Sequence, residues 1–520
     1  MDKPYVLAMY DIRGKQEFIY RSVKLKEIVG GSAIIRDCFK EYLSPAAIEY
    51  RNRKDGEYDP SSEALFSYEN KTDKVFSFAA FEERMASDQY IAEVVYCGGG
   101  NFLVLFENAE ACKEVTYIFS KKVMEASSTL KVICTYVGNL DQDLYHSDDP
   151  DKPGDYERLY LKHRLTENQE TAADPYATLP VVQADYLTSR PITKIVKVKG
   201  GELKLTSEQY AKYVKYEQEK RDHKDVLGED QLDNMVADKG KDSLLAVIHI
   251  DGNSMGAMVQ NCLSDKNYDS CVTALRKFSA EIQKDCIDDR LKEISAEKLR
   301  VVVYAGDDFT IICNAHDAFG IAVNYLKNLP DKYSSCAGIA IFHSHTPFAD
   351  AYRIADQCCT YAKKKMKFPD SKGMEKAEAI TDVCLLDFHY CKASIGNDIE
   401  EIRKFENHEK LSLPWLIADK KKDRVLDQFV TLDEVREVRR RLDLFGRSNT
   451  KGLLEPAQNS EAAFLMEIRR IISHMSSTKR EQLQHNADPV DYDFYRRYRL
   501  LMRDLIVAYD LGFGKETDAA

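Results

Sequence analysis

Three carboxylates stand where apolar runs end. Asp251 closes Leu244-Leu-Ala-Val-Ile-His-Ile250, and Asp307 and Asp308 sit in Ala305-Gly306-Asp307-Asp308, between Leu299–Tyr304 and Phe309–Cys313. Oxygen donors brought to one sheet edge suit a hard divalent cation such as Mg2+ or Mn2+. Two such ions can activate an attacking hydroxyl and stabilise the leaving oxygen of a phosphoryl transfer. Consecutive aspartates beside apolar strands repel one another unless a cation lies between them. Gly252, Asn253, Ser254 and Gly256 follow the first carboxylate, and small residues there let backbone N–H groups approach a triphosphate. A Gly-Asp-Asp turn is also an ordinary hairpin turn, so the signal is the third aspartate together with the turn.

The elements that must position these residues occur twice. Tyr5–Tyr10 is a buried strand ending at Asp11, and Tyr90–Tyr96 and Phe102–Phe106 flank the turn Gly98, Gly99, Gly100, Asn101. Two apolar runs around a glycine turn predict a hairpin. A helix over about 109–127 and a strand over 131–137 complete the first copy. The second copy runs from the strand at 244 through a helix at about 267–287, the hairpin, a helix at about 315–328, a strand at 336–342 and a helix at about 347–367. This internal repeat predicts two α+β units. Asp11 matches Asp251, while Gly100 and Asn101 replace Asp307 and Asp308. One half therefore keeps the carboxylates, and the other supports the fold or binds a nucleotide. In the first copy a helix from about Lys15 is expected to stop at Gly30-Gly31, with Ser32 capping the next.

Residues 140–240 read as a polar connector with helical charge patterning near 206–222. Residues 50–75 read as an irregular insertion. From 401 strand signals vanish; Leu432–Leu444, Ala462–Met475 and Phe494–Leu511 show helical spacing, with 447–459 a loop between helices. The Arg439-Arg440-Arg441 cluster, and Arg496, Arg497 and Arg499, read as exposed faces paired with local acids. Contact with RNA phosphates or with a partner subunit is the functional alternative. Trp415 reads as core.

Composition narrows the classes. The chain has 520 residues and a formal net charge of −12, which opposes wholesale binding to a nucleic-acid backbone. The tail from 401 holds 22 basic and 21 acidic residues, so the acid excess lies before it. Hydrophobic residues make up 44%, enough for packed cores. No apolar run is long enough to span a membrane, and the start lacks a signal-peptide pattern, which places the chain in the cytoplasm. The 13 cysteines form no CxxC pair, and none lies between 140 and 240, so free core thiols are expected and zinc ligation in the connector is not.

Asp11-Ile-Arg-Gly-Lys-Gln-Glu-Phe-Ile-Tyr20 with Lys24–Ser32 resembles the first Palm domain of the large polymerase/cyclase-like subunit of type III CRISPR effector complexes (Cmr/Csm type). Asp251-Gly-Asn-Ser-Met-Gly256 is similar to its second Palm, and Tyr304-Ala-Gly-Asp-Asp-Phe309 to its GGDD motif. Cys336–Ile341, Ala355-Asp356 and Tyr361-Ala-Lys-Lys364 resemble the strand and helix that follow; GGDEF-type cyclases share this order. The resemblance covers about residues 1–140 and 243–368. It implies two ferredoxin-like Palm domains and a helical C-terminal domain: 1–140, a connector 141–242, 243–400 and 401–520. It implies a nucleotidyltransferase that condenses ATP, 3′-hydroxyl onto α-phosphate with loss of pyrophosphate, making cyclic oligoadenylates for antiviral defence. Adenylyl transfer to S-adenosylmethionine, or a silent scaffold, are the alternatives. It further implies Asp251, Asp307 and Asp308 as metal ligands for Mg2+ or Mn2+. Asn253, Ser254, Gly256, Gly306, Lys364, Gly30, Gly31, Ser32, Gly99 and Gly100 would line the nucleotides. Partner effector subunits, CRISPR RNA and target RNA are implied too. The sequence departs from the family at Ala305 and Asn253, lacks an N-terminal HD nuclease and lacks the zinc ligands. His316-Asp317 reads as a helix start.

Overall fold

In this computed structural model the described residues are 4–22, 24–55, 63–68, 74–87, 89–98, 100–127, 129–169, 181–198, 201–222, 228–229, 231–294, 298–367, 380–391, 398–405, 411–421, 426–483 and 491–515. They form two compact units. The first takes residues 1–226, 254–288 and 302–307, and the second 227–253, 289–301 and 308–520.

The strands are β1 (Val6–Arg13), β2 (Leu65–Phe66), β3 (Ala92–Gly98), β4 (Asn101–Phe106), β5 (Lys131–Val137), β6 (Lys194–Val198), β7 (Gly201–Leu205), β8 (Leu244–Gly252), β9 (Leu299–Ala305), β10 (Asp308–Asn314), β11 (Ser335–His343), β12 (Val383–Tyr390), β13 (Trp415–Asp419) and β14 (Val430–Thr431). The sheet orders are β2-β3-β4-β1-β5 and β14-β13-β12-β11-β8-β10-β9, with β6-β7 a separate hairpin. The order β3-β4-β1-β5 is repeated as β9-β10-β8-β11. In each copy the aspartate-bearing strand is central and antiparallel to both neighbours.

β1 is apolar from Val6 to Tyr10, where both of its faces are covered. Ala8, Tyr10 and Ile12 enter one cluster with Ile34, Phe39, Val115 and Phe119. Leu7 and Met9 enter the other with Phe81, Val95, Tyr156, Val272 and Leu275. The two-residue alternation of the strand puts successive side chains into opposite cores. In the second unit β8 is likewise buried from Leu245 to Ile250. The helix Phe348–Lys367 lies against β11 so closely that a Cβ on Gly338 would stand 1.9 Å from the Ala355 carbonyl oxygen.

Three expectations change. Gly30 and Gly31 do not end a helix. A short helix, Lys15–Tyr20, stops earlier, and Leu25–Cys38 runs unbroken through Gly30, Gly31 and Ser32. A Cβ on Gly30 would lie 1.9 Å from the carbonyl oxygen of Lys212, on the helix Ser207–Asp222. The glycines permit that close crossing. Strands do not vanish after 401, because β13 extends the second sheet, antiparallel to β12, and carries the fully buried Trp415. Residues 447–459 are two short helices, Arg447–Gly452 and Leu454–Asn459, rather than a loop.

The tail is otherwise helical. Its helix Leu432–Phe445 begins with a capping box of Thr431 and Glu434. Within the arginine cluster Arg439 is buried, donating to the carbonyls of Tyr509 and Phe513, and the Arg441 guanidinium lies 3.6 Å from the Phe494 ring centroid. Arg440 keeps an exposed pair with Glu437. His316 and Asp317 do start a helix, with Asp317 at the N-cap of Ala318–Asn328. Parts of the 50–75 segment, 56–62 and 69–73, lie outside the described residues. Among the described residues every cysteine is a free thiol, and no helix is long and apolar enough to cross a membrane.

Candidate active site

Phe309 pairs with Ile250 in the β8–β10 ladder. One step further along this antiparallel register sets Asp308 beside Asp251, at the end of both strands. Asp307 precedes it in the turn, where Gly306 takes φ +66°. The first sheet repeats the geometry, with Asp11 opposite Asn101 and Gly100 at φ +79°. A left-handed residue follows each central aspartate by three positions: Gly14 at φ +62° and Ser254 at φ +57°. Both open a short helix without a side-chain cap, Lys15–Tyr20 and Met255–Asn261.

Asp251 is half-exposed and has a cationic partner, Lys363, one residue before the lysine expected at the nucleotide. Lys363 Nζ lies 2.6 Å from Asp251 Oδ2 and donates to the Gly252 carbonyl at 2.6 Å. Burial tends to lower the Lys363 pKa, but Asp251 outweighs it and holds the ammonium above its usual range. Lys364, the lysine expected at the nucleotide, instead pairs with Glu400 at 2.7 Å and is exposed. The helix phase explains the exchange. Ala355, Cys359 and Ala362 face the sheet, and Lys363 lies on their flank.

Asn253 is buried. Its Nδ2 donates to Ser334 Oγ at 3.2 Å and the Val383 carbonyl at 3.0 Å, and its backbone N–H to the Ser334 carbonyl at 2.9 Å. It thus ties the end of β8 to the neighbouring chain. Gly256 is exposed with open space around it, and Ser254 is half-buried. Beneath the carboxylates His249 Nδ1 meets Thr310 Oγ1 at 3.0 Å, and its Nε2 is 3.5 Å from Asp356 Oδ1. Burial raises the Asp356 carboxyl pKa, and the Asp251 charge adds to the rise. His249 could have been found from its place two residues before Asp251, on the same face of the strand. Gly30, Gly31 and Ser32 are buried in the helix crossing of the first unit, Gly100 is in the β3–β4 turn, and Gly99 lies outside the described residues.

A central aspartate-bearing strand flanked on one side by an acidic-tipped hairpin and on the other by an antiparallel strand is the arrangement of a palm-type domain. Residues 244–370 match the family model described as Cas10/Cmr2, second palm domain. No curated protein matches the chain. Among solved structures it is similar to Csm1 of T. onnurineus, at 13% identity and TM-score 0.42, covering 96% of this chain and 70% of that one. A Csm1-Csm4 cassette in complex with cA3 matches at 13% identity and TM-score 0.43, with the same coverage. A Csm1-Csm4 cassette in complex with cA4 matches at 14% identity and TM-score 0.37, covering 73% of this chain. This chain spans 56% of the length of that last relative.

Proposed function

We propose that the chain is the large Cas10-like subunit of a type III CRISPR effector and that its second palm joins ATP molecules, releasing pyrophosphate and making cyclic oligoadenylates. The observation that carries this reading is the register placing Asp308 beside Asp251 at the edge of a sheet matched by the second-palm family. Asp251, Asp307 and Asp308 would supply an all-oxygen donor set, the chemistry that suits Mg2+ or Mn2+. When bound, such a cation supplies charge stabilisation at the phosphate and lowers the pKa of the attacking hydroxyl.

The protein's own residues do the rest. Asp251 and Asp308 concentrate negative charge at one strand end, which selects a cation and excludes free phosphate. Lys363 offsets part of that charge in the unliganded state, and its ammonium is within reach of a phosphate oxygen brought to Asp251. The buried amide of Asn253 fixes the backbone between Asp251 and Ser254. The new bond joins the 3′-oxygen of one nucleotide to the α-phosphorus of another; the bond from that phosphorus to the β-bridging oxygen breaks, and pyrophosphate departs. Partner subunits, CRISPR RNA and target RNA belong to this proposal.

The test is incubation of the protein, alone and assembled with its effector partners and target RNA, with ATP and Mn2+. Pyrophosphate is measured and the product identified by mass spectrometry. Cyclic oligoadenylate lost in Asp307→Ala/Asp308→Ala supports the reading. An AMP conjugate replaces the product, and no turnover under any condition leaves a scaffold.

A further inference from the structure

The first repeat carries a cluster of different chemistry. Asp11 on β1 meets His163 and Glu167, one turn apart on the helix Asp155–Gln169 and so on one face of it. One ligand atom from each lies within 4.8 Å of the others. His163 Nε2 stands 3.4 Å from Glu167 Oε1 and 3.6 Å from Asp11 Oδ2. Both distances are too long for good hydrogen bonds. His163 is 4% exposed, and this nitrogen is buried without a hydrogen-bond partner. The other ring nitrogen is held, with Nδ1 3.1 Å from Thr135 Oγ1, itself buried.

With Nδ1–H donating to Thr135, the Nε2 lone pair faces two carboxylates. In that tautomer the arrangement is repulsive unless a proton or a metal cation sits among the three, and 3.4 and 3.6 Å are long for an Nε2–H to bridge to either carboxylate. The spacing suits a metal cation: two donors about 2.1 Å from an ion at a tetrahedral angle stand about 3.4 Å apart. A hydroxyl that orients the imidazole through its far nitrogen is the usual outer support of a metal-bound histidine. Two cations of the chain compete for the place. Arg13 Nη1 pairs with Glu167 and lies 3.6 Å from Asp11 Oδ2, and Lys15 Nζ is 3.9 Å from Asp11 Oδ1. The Arg13 side chain is 44% exposed, so it can swing into solvent.

We propose that Asp11, His163 and Glu167 form a binding site for a divalent cation of the zinc and late transition-metal class. The imidazole nitrogen favours Zn2+, Co2+ or Ni2+ over Mg2+, Ca2+ and Mn2+, in contrast to the all-oxygen set of the second repeat. The site stands on the geometry of the first unit and is independent of the ATP chemistry proposed above.

The test uses the full chain carrying Asp307→Ala and Asp308→Ala, titrated with Co2+ and followed by visible absorption, with Zn2+ displacement and elemental analysis after dialysis. One equivalent with nitrogen/oxygen-type bands is expected. His163→Ala and Glu167→Gln each weaken binding about 100-fold, and Thr135→Val about 10-fold. Arg13→Gln tightens it several-fold by removing a competitor, an effect no purely structural role would produce. Glu167→Gln and Arg13→Gln alter partly exposed side chains, which keeps the test sound should His163→Ala not fold. Absent stoichiometric uptake, uptake unmoved by these variants, or thiolate charge-transfer bands showing cysteine ligation would each overturn the site.

Discussion

Replacing Gly30 with alanine separates two readings of the first unit. In an exposed helix interior Gly→Ala stabilises by about 1 kcal/mol through backbone entropy. At Gly30 the new Cβ would lie 1.9 Å from the Lys212 carbonyl oxygen and 2.8 Å from its carbon. Those atoms are backbone and cannot rotate away, so the helices Leu25–Cys38 and Ser207–Asp222 must part by more than an ångström. Overpacking of this kind costs roughly 1–3 kcal/mol and more when backbone must move. Setting that against the propensity gain, Gly30→Ala is expected to lose about 2 kcal/mol. A Cβ on Gly31 would meet the far end of the Lys212 side chain at 3.1 Å and, at an ordinary contact distance of 3.5 Å, the Ile19 Cα. That side chain is held by Glu208 and the Phe18 carbonyl, so Gly31→Ala should fall between zero and about 1 kcal/mol of loss. Gly256 has nothing within 4 Å, and Gly256→Ala should gain about 0.5–1 kcal/mol. Urea unfolding of the three variants beside wild type measures the series. A Gly30→Ala protein within 0.5 kcal/mol of wild type but deficient in nucleotide binding would refute the packing account and restore a nucleotide role for the glycine pair.

Further outcomes follow from named contacts. Asp387 and Arg403 are fully buried and paired through two hydrogen bonds, 2.6 and 3.1 Å, so Arg403→Met should cost about 3–5 kcal/mol by stranding the carboxylate. Burial raises the Asp387 pKa; stability from a raised carboxyl is present at low pH and lost as pH rises, so the deficit should shrink from pH 7 to pH 5. An equal deficit at both pH values contradicts the assignment. Ser254 holds a left-handed conformation where the first repeat has Gly14, so Ser254→Gly should be neutral or stabilise by up to about 1 kcal/mol in urea unfolding. Lys363→Met should cut ATP turnover by about 10-fold or more, whereas Lys364→Ala, which breaks an exposed pair with Glu400, should leave it within about twofold.

The hairpins and central strands were legible because apolar runs on either side of a glycine turn leave few alternatives, and the internal repeat checked one copy against the other. The positions of Asp11, Asp251 and Asp308 along their strands were legible for the same reason: each borders such a run. The misreadings share a cause in distant packing. Gly30-Gly31 looks like a helix stop locally, and only the helix at Ser207–Asp222 reveals why glycine is there. Whether Lys363 or Lys364 meets Asp251 depends on the phase of a helix against a sheet, fixed by Ala355, Cys359 and Ala362. Trp415 was recognised as core, yet its strand is only five residues long and lies next to Pro414, so the apolar run was too brief to stand out. Arg439 reads as a surface charge until the chain end at Tyr509–Phe513 folds back over it. Asp11 and His163 are brought together by the fold from far apart in sequence, and nothing in either segment marks them as neighbours.

The most direct test of the central claim is pyrophosphate release from ATP with Mn2+, measured for wild type and for Asp307→Ala/Asp308→Ala in the same effector assembly with target RNA. Cyclic oligoadenylate is expected from the wild type, with a fall of about 1,000-fold or more in the variant. Equal rates in the two proteins would contradict it.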